Sequence, residues 1–157
     1  MFDINKLRLV TSNKNKLDEY NSYNNAGKLQ MLKGADLPEV ESEDPLTVII
    51  YKSKLAGNNT IVEDTSFDVE GANIGTNVRW LMDSISKYEG REAEWIVKLA
   101  VNYNENIYVY DGKIKGIISS PKGKEGFGFD PIFIPNGTHK TLSELSFEGN
   151  KDDYSAR

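Results

Sequence analysis

The sequence predicts a mixed α/β (α+β) fold built on a central mixed sheet, and three observations predict it. Over Leu7 to Glu63, short β-forming runs alternate with helical periodicity, giving the order strand, helix, strand, helix, strand. From Ala93 to Tyr103 the apolar residues keep a period of two, which opens a series of antiparallel strands. A length of 157 residues, 38% hydrophobic and 27% charged, suits one soluble globular domain with a substantial core.

The elements follow in order. Leu7 to Thr11 reads as the first strand. Asn13 to about Tyr23 reads as a helix with Leu17, Tyr20 and Tyr23 on one face. Lys28 to Leu32 reads as a second strand. Asp44-Pro45 marks a helix start, because Asp44 accepts backbone N–H bonds as the N-cap and Pro45 loses nothing at the first helical position. That helix carries Leu46, Ile49, Ile50 and Ser53 inward and ends at Gly57. Thr60 to Glu63 is a third short strand. Val78, Leu81, Met82, Ile85 and Tyr88 keep helical spacing and predict a helix over Asn77 to Tyr88. In the next stretch Trp95, Val97, Leu99, Val101 and Tyr103 alternate with Glu94, Ile96, Lys98, Ala100 and Asn102, which favours a strand over a helix. Ile107 to Tyr110 and Lys113 to Ser119 flank Asp111-Gly112, a tight hairpin signal. A Gly-rich loop from Ser120 to Asp130 leads to a strand at Ile132 to Ile134. Thr141-x-x-Glu144 has the pattern of a capping box ahead of a short helix.

Composition narrows the chemistry. The chain has no cysteine, which removes disulfides, thiolate zinc sites and cysteine nucleophiles. It has one histidine, His139, in a Gly-Thr-His-Lys loop, so a His-rich metal centre or a Ser-His-Asp triad is not expected. The formal charge of −5, with no basic stripe, argues against a nucleic acid polymer as partner. No apolar run approaches the roughly 18 residues of a membrane span. The first residues, Met1-Phe2-Asp3-Ile4-Asn5-Lys6, lack the layout of a secretory signal, so a cytoplasmic location is the expectation.

Four segments have residue types that can do chemistry. Thr11-Ser12-Asn13-Lys14-Asn15-Lys16 lies where a strand gives way to a helix. Free N–H groups and the helix dipole make such a turn a seat for anions, although an ordinary N-cap with a solvated Lys16 has the same pattern. Carboxylates gather at Glu39, Glu41, Glu43 and Asp44, and again at Glu63-Asp64-Thr65. Oxygen clusters of this kind suit Mg²⁺, which takes a few carboxylates and leaves other positions to water and phosphate. For Glu41 and Glu43 a solvated surface is the better reading. A strand-final acidic pair after Ile61-Val62 is poorly placed for solubility alone. Gly126-Phe127-Gly128-Phe129-Asp130-Pro131 places aromatics between glycines, where a ring can stack on a base and Asp130 can accept from its N–H groups. A turn whose aromatics are simply core fits equally well. The last segment, Lys151 to Arg157, has the composition of a frayed tail.

Taken in order, these segments resemble the inosine/xanthosine triphosphate pyrophosphatase family, which acts on non-canonical purine nucleotides. Thr11-Ser12-Asn13-x-x-Lys16 is similar to its Thr-Gly-Asn-x-x-Lys phosphate loop. Leu37-Pro38-Glu39 and the acidic residues after it look like its first metal segment. Val62-Glu63-Asp64-Thr65 is similar to its Glu-Asp-Thr/Ser motif. Gly126 to Phe133 resembles Gly-Phe-Gly-aromatic-Asp-Pro-x-Phe, the most specific of its signatures, and Lys140-Thr141-x-x-Glu144-Leu145 continues the match. The resemblance covers nearly the whole chain.

The family implies a single domain over residues 1–157 in a two-lobed fold, with a nucleotide cleft between lobes. It implies hydrolysis of ITP, dITP or XTP to the monophosphate and pyrophosphate, with Mg²⁺ as cofactor. By that resemblance Thr11, Ser12, Asn13 and Lys16 hold the phosphates, and Lys52 reaches one of them. Glu39 and Asp64 bind the metal, and Asp64 or Glu63 orients the attacking water. Phe127 stacks on the base within the Gly128-Phe129 turn, and Asp130 reads its edge. Lys151, Ser155 and Arg157 match a Lys followed by Ser-His-Arg, with Ala156 where the family has a His that contacts the purine 6-oxo group. That change opens the base preference to another modified or pyrimidine nucleotide. Against the family pattern Gly90 to Glu94 is short and a closing helix is missing, which reads as a minimal version whose homodimer interface would differ. A nucleotide-binding protein without turnover is the reading from a different class, and the retained Lys16, Glu39, Glu63 and Asp64 oppose it.

Overall fold

The computed structural model describes residues 2–23, 27–33, 37, 42, 44–72 and 78–157, with the main chain alone for 78–80. Glu39, the expected metal ligand, lies outside the described residues, as do Pro38, Glu41, Glu43 and Asn77. Among the described residues six strands and four α-helices are formed: β1 (Arg8–Val10), α1 (Lys14–Tyr23), β2 (Gln30–Leu32), α2 (Pro45–Ala56), β3 (Thr60–Val69), α3 (Val78–Asp83), β4 (Glu92–Tyr103), β5 (Asn106–Ile118), β6 (Phe133–Pro135) and α4 (Leu142–Glu148). The sheet order is β2-β1-β3-β4-β5-β6. β1 is parallel to β2 and β3, and β5 is antiparallel to β6, so the sheet is mixed as expected.

The chain forms two compact units, residues 1–64, 97–111 and 157 in the first, and 65–96 and 112–156 in the second. In the first unit the strand period sorts the core onto two faces. Leu9, Ile61 and Val101 cluster with Leu17 and Tyr20 of α1, whereas Val10, Val62 and Ala100 cluster with Ile49 of α2. Burial on both faces explains why the parallel strands read as continuous apolar runs rather than alternating ones. α2 begins as the sequence predicts: the Leu46 N–H donates to Asp44, Pro45 follows, and Gly57 ends the helix at φ 87.

The second unit is built on aromatics. Phe67 and Phe129 are stacked with centroids 4.2 Å apart, and Phe133 meets Phe67 edge-on at 5.3 Å. Trp95 meets Phe129 edge-on at 5.5 Å. α4 carries the predicted capping box, with Thr141 and Glu144 exchanging bonds, and Gly149 closes it in the left-handed conformation at φ 77.

Several boundaries differ from the sequence reading, each for a physical reason. β3 runs on to Val69 because Phe67 and Val69 supply buried alternate positions beyond the polar Asp64-Thr65-Ser66. The helix expected through Tyr88 stops at Asp83, since Ser84 is not helical and a 3-10 turn follows at Ile85–Lys87. The expected hairpin at Asp111-Gly112 does not exist, and β5 passes straight through both residues. The chain reverses instead at Asn104-Glu105, where both residues take left-handed φ values of 51 and 64, the requirement of a two-residue hairpin turn. Gly112 serves close approach rather than turning: a Cβ there would lie 1.8 Å from the Ala156 carbonyl oxygen.

Candidate functional site

In the first unit the site grows from the β1–α1 junction. The Asn13 N–H donates to Thr11 Oγ1 at 3.0 Å, and Asn13 Oδ1 accepts from the Asn15 N–H at 3.0 Å. Asn13 thus caps α1, with Ser12 exposed between these residues. One turn in, Lys16 points its ammonium at Glu63, 3.1 Å from Oε1. Tyr20, one turn further along the same helix face, donates its hydroxyl to Glu63 Oε2 at 2.5 Å. Lys52, from α2, donates to the Glu63 carbonyl oxygen at 2.9 Å.

Arg157 completes this cluster. Its Nε and Nη2 donate to Glu63 Oε2 and Oε1 at 2.9 and 3.0 Å, the two-pronged arrangement that matches a guanidinium to a carboxylate. Its Nη1 donates to Glu19 at 2.7 Å. The Arg157 and Glu63 side chains are 3% and 2% exposed, so this is a buried ion network. Burial favours the neutral guanidine, but the hydrogen bond to and charge of Glu63, helped by Glu19, outweigh it and hold the guanidinium charged more firmly than usual. Burial first, and the Glu63 charge second, push the Tyr20 phenol up, so it keeps the proton it donates.

Each Glu63 oxygen therefore receives two donors. A carboxylate offers about four acceptor positions, so these donors leave Glu63 firmly engaged within the protein. Asp64, the next residue on β3, is only half-buried and is the carboxylate left accessible by strand alternation. Among the described residues no group of three or more His, Cys, Asp or Glu forms a metal centre.

In the second unit the Gly126–Asp130 turn is organised by Asp130. Its Oδ2 accepts from the Phe127 N–H at 2.9 Å and pairs with Lys151 Nζ at 2.7 Å. Both side chains are almost wholly buried, at 4% and 7% exposure. The Lys151 ammonium also lies 4.9 Å from the Phe127 ring centroid, within cation–π range. Gly126 sits at φ +82, where a Cβ would lie 2.1 Å from Asp130 Oδ2. Phe127 is half-buried. Gly128 has open space where a Cβ would be.

This geometry bears on three sequence-based expectations. Phe129 is core, 7% exposed and stacked on Phe67, and not a free face for a base. Asp130 is turned inward, with Oδ2 on Lys151 and the Phe127 N–H, and so it braces the turn. The segment expected to fray is ordered: Lys151–Tyr154 forms a 3-10 turn with Lys151 buried, Ser155 is half-buried, and Ala156 is 9% exposed. Sequence reasoning missed Glu19 and Tyr20, which it placed on an ordinary helix. Their spacing of three and four residues after Lys16 puts all three on one helix face, and that was the available signal.

Comparison with known proteins gives a consistent picture. The model of the Ham1 family matches residues 7–157. A dITP/XTP pyrophosphatase of Korarchaeum cryptofilum is 31% identical over 167 aligned residues, covering 94% of this chain and 88% of that protein. An inosine triphosphate pyrophosphatase of Batrachochytrium dendrobatidis is 30% identical, covering 87% of this chain and 80% of that protein. Among solved structures, a nucleoside-triphosphatase / dITP/XTP pyrophosphatase from Mycobacterium abscessus superposes with a TM-score of 0.63 at 22% identity over 94% of this chain, a likeness of fold.

Proposed function

The chain belongs to the Ham1 family, and from that premise we propose that it hydrolyses non-canonical nucleoside triphosphates such as ITP, dITP and XTP to the monophosphate and pyrophosphate. The observation that carries the reading is the gathering of Lys16, Lys52 and Arg157 on Glu63, beside the accessible Asp64. Water attacks the α-phosphorus, the bond to the bridging oxygen breaks, and the electron pair leaves on pyrophosphate. Negative charge therefore builds on the α-phosphoryl oxygens and the leaving group, where prepositioned cations lower the barrier most.

In this reading the Thr11-Ser12-Asn13 turn and Lys16 take the phosphates, and Lys52 reaches one of them. Asp64 orients the attacking water. Glu63 is a positioning residue that holds Lys16 and Arg157, since these donors keep it engaged within the protein. In the second unit Phe127 offers the base a ring whose backbone Asp130 holds, with Lys151 at one face. Ser155 contributes hydroxyl contact to the nucleotide. A divalent cation fits the donor chemistry: one accessible hard carboxylate, Asp64, suits Mg²⁺, which is commonly held by one or two carboxylates plus substrate phosphates. Asp64 and Glu39 would hold it, and when bound it would neutralise phosphate charge and polarise the α-phosphoryl group. The protein would act on free nucleotides in the cytoplasm.

The test is pyrophosphate release from dITP and XTP with Mg²⁺ or with EDTA, on the wild type and Asp64→Asn. The expected result is turnover with Mg²⁺ alone, cut by about a few hundred-fold in the variant, in line with loss of a key electrostatic group. Full activity in Asp64→Asn or in EDTA would sink the assignment. A second reading, with the same chemistry on another modified or pyrimidine nucleotide, is favoured by Ala156, whose methyl offers a base no hydrogen bond. Faster turnover of such a nucleotide than of dITP and XTP would support it.

A further inference from the structure

The hydroxyl of Tyr20 has no packing purpose. Its ring lies against the cluster of Leu7, Leu9, Leu29, Ile61 and Val101, a position that Phe would fill equally well. The hydroxyl instead donates to Glu63 Oε2 at 2.5 Å, although the two residues are 43 positions apart in sequence. Glu63 Oε1 has Lys16 and Arg157 Nη2 as donors, and Oε2 has Arg157 Nε and Tyr20. Beside the cations Lys16 and Arg157, Tyr20 is a neutral donor to this carboxylate. It engages Oε2 without adding charge.

We propose that Tyr20 is a positioning residue for the hydrolysis: its hydroxyl fixes the Glu63 carboxylate in one plane and so aims Lys16 and Arg157. The inference rests on the pyrophosphatase reading. The terminal torsion of a glutamate is broad and soft, so the plane of the carboxylate is set by its donors. With Tyr20 in place both oxygens are held. Without it Oε2 loses the Tyr20 donor while Lys16 and Arg157 Nη2 still hold Oε1, and the carboxylate tilts toward Lys16. Misplacing a catalytic group by about 1 Å can cost about a hundred-fold in rate. The effect falls on kcat more than on KM, because the charge that Lys16 meets grows in the transition state. Filling Oε2 also withholds Glu63 from a metal and leaves that role to Asp64.

Tyr20→Phe removes one oxygen and keeps the ring. The expected result is a kcat lower by about ten-fold, with KM changed by less than about two-fold, the range of one lost hydrogen bond to a charged group. In a Glu63→Gln background, Tyr20→Phe has no further effect, because the hydroxyl acts through Glu63. The Arg157 Nε–H signal in a ¹⁵N-labelled protein exchanges with water about ten-fold faster in Tyr20→Phe than in the wild type. A kcat retained within about two-fold, an effect that persists undiminished in Glu63→Gln, or an unchanged Nε–H exchange rate each overturns the proposal. A wild-type protein that releases no pyrophosphate overturns the functional reading separately, and the exchange measurement then still decides whether Tyr20 holds the cluster.

Discussion

Replacing Lys151 with Met tests the buried pair that organises the Gly126–Asp130 turn. Met keeps most of the apolar stem of Lys151 and removes the ammonium, so little cavity opens. Asp130 is then left at 4% exposure with its 2.7 Å counter-ion gone, while the Phe127 N–H still donates to it. Removing one member of a buried ion pair costs about 3–5 kcal/mol, because the remaining charge is desolvated and uncompensated. The surviving Phe127 bond and the lost cation–π contact act in opposite directions, so a value of about 3 kcal/mol is expected. At about 2–4 °C per kcal/mol for a chain of this size, Tm falls by about 6–12 °C. Urea denaturation with a constant m-value gives the free energy directly. Adding Asp130→Asn to Lys151→Met recovers part of the loss, since the stranded charge disappears. A loss below about 1 kcal/mol in Lys151→Met would refute the reasoning, because that is the worth of an exposed pair.

Two further predictions follow from the backbone and the caps. Gly112→Ala places a methyl where the Ala156 carbonyl oxygen now sits, 1.8 Å away, and costs about 1–3 kcal/mol by overpacking. It also shifts the residue that precedes Arg157, so pyrophosphate release falls with Tm, and a variant that kept both would contradict the close approach. Hydrogen bonds from Thr47 and from the Leu46 N–H hold the Asp44 carboxyl below its usual range. The stabilisation it gives α2 is therefore present above the ordinary carboxylate value of 3.8 and is lost as pH falls below it. The Tm difference between wild type and Asp44→Ala should close on acidification, and a gap that stays constant would remove the charge from the account.

Much of this architecture is legible in the residues, and the exceptions have physical causes. Asp44-Pro45, the Thr141/Glu144 box and the alternation from Ala93 to Tyr103 are local signals, and each element forms where its signal stands. Asp111-Gly112 misleads because a glycine needed for close approach reads like a glycine needed for turning. The true turn at Asn104-Glu105 has no glycine, and Glu105 takes a positive φ that its own chemistry does not announce. Lys16, Glu63 and Arg157, from three separate motifs, come together in one ion network. The surroundings of Glu63 are not legible in the sequence, because its donors come from distant segments and one of them is a tyrosine read as part of an apolar helix face. The burial of Lys151 is not legible for a related reason: a lysine near the end of a chain is usually solvated, and the distant Asp130 helps make its burial tolerable.

The most direct test of the central claim is a comparison of kcat/KM for dITP and XTP with that for dGTP and dATP. Both the nucleoside monophosphate and pyrophosphate would be followed in the presence of Mg²⁺. The expected result is equimolar monophosphate and pyrophosphate, and a preference for the non-canonical bases of about ten-fold or more, the discrimination that even one pocket contact can supply. Release of orthophosphate and a diphosphate, or no turnover of any of the four by the folded protein, would contradict it.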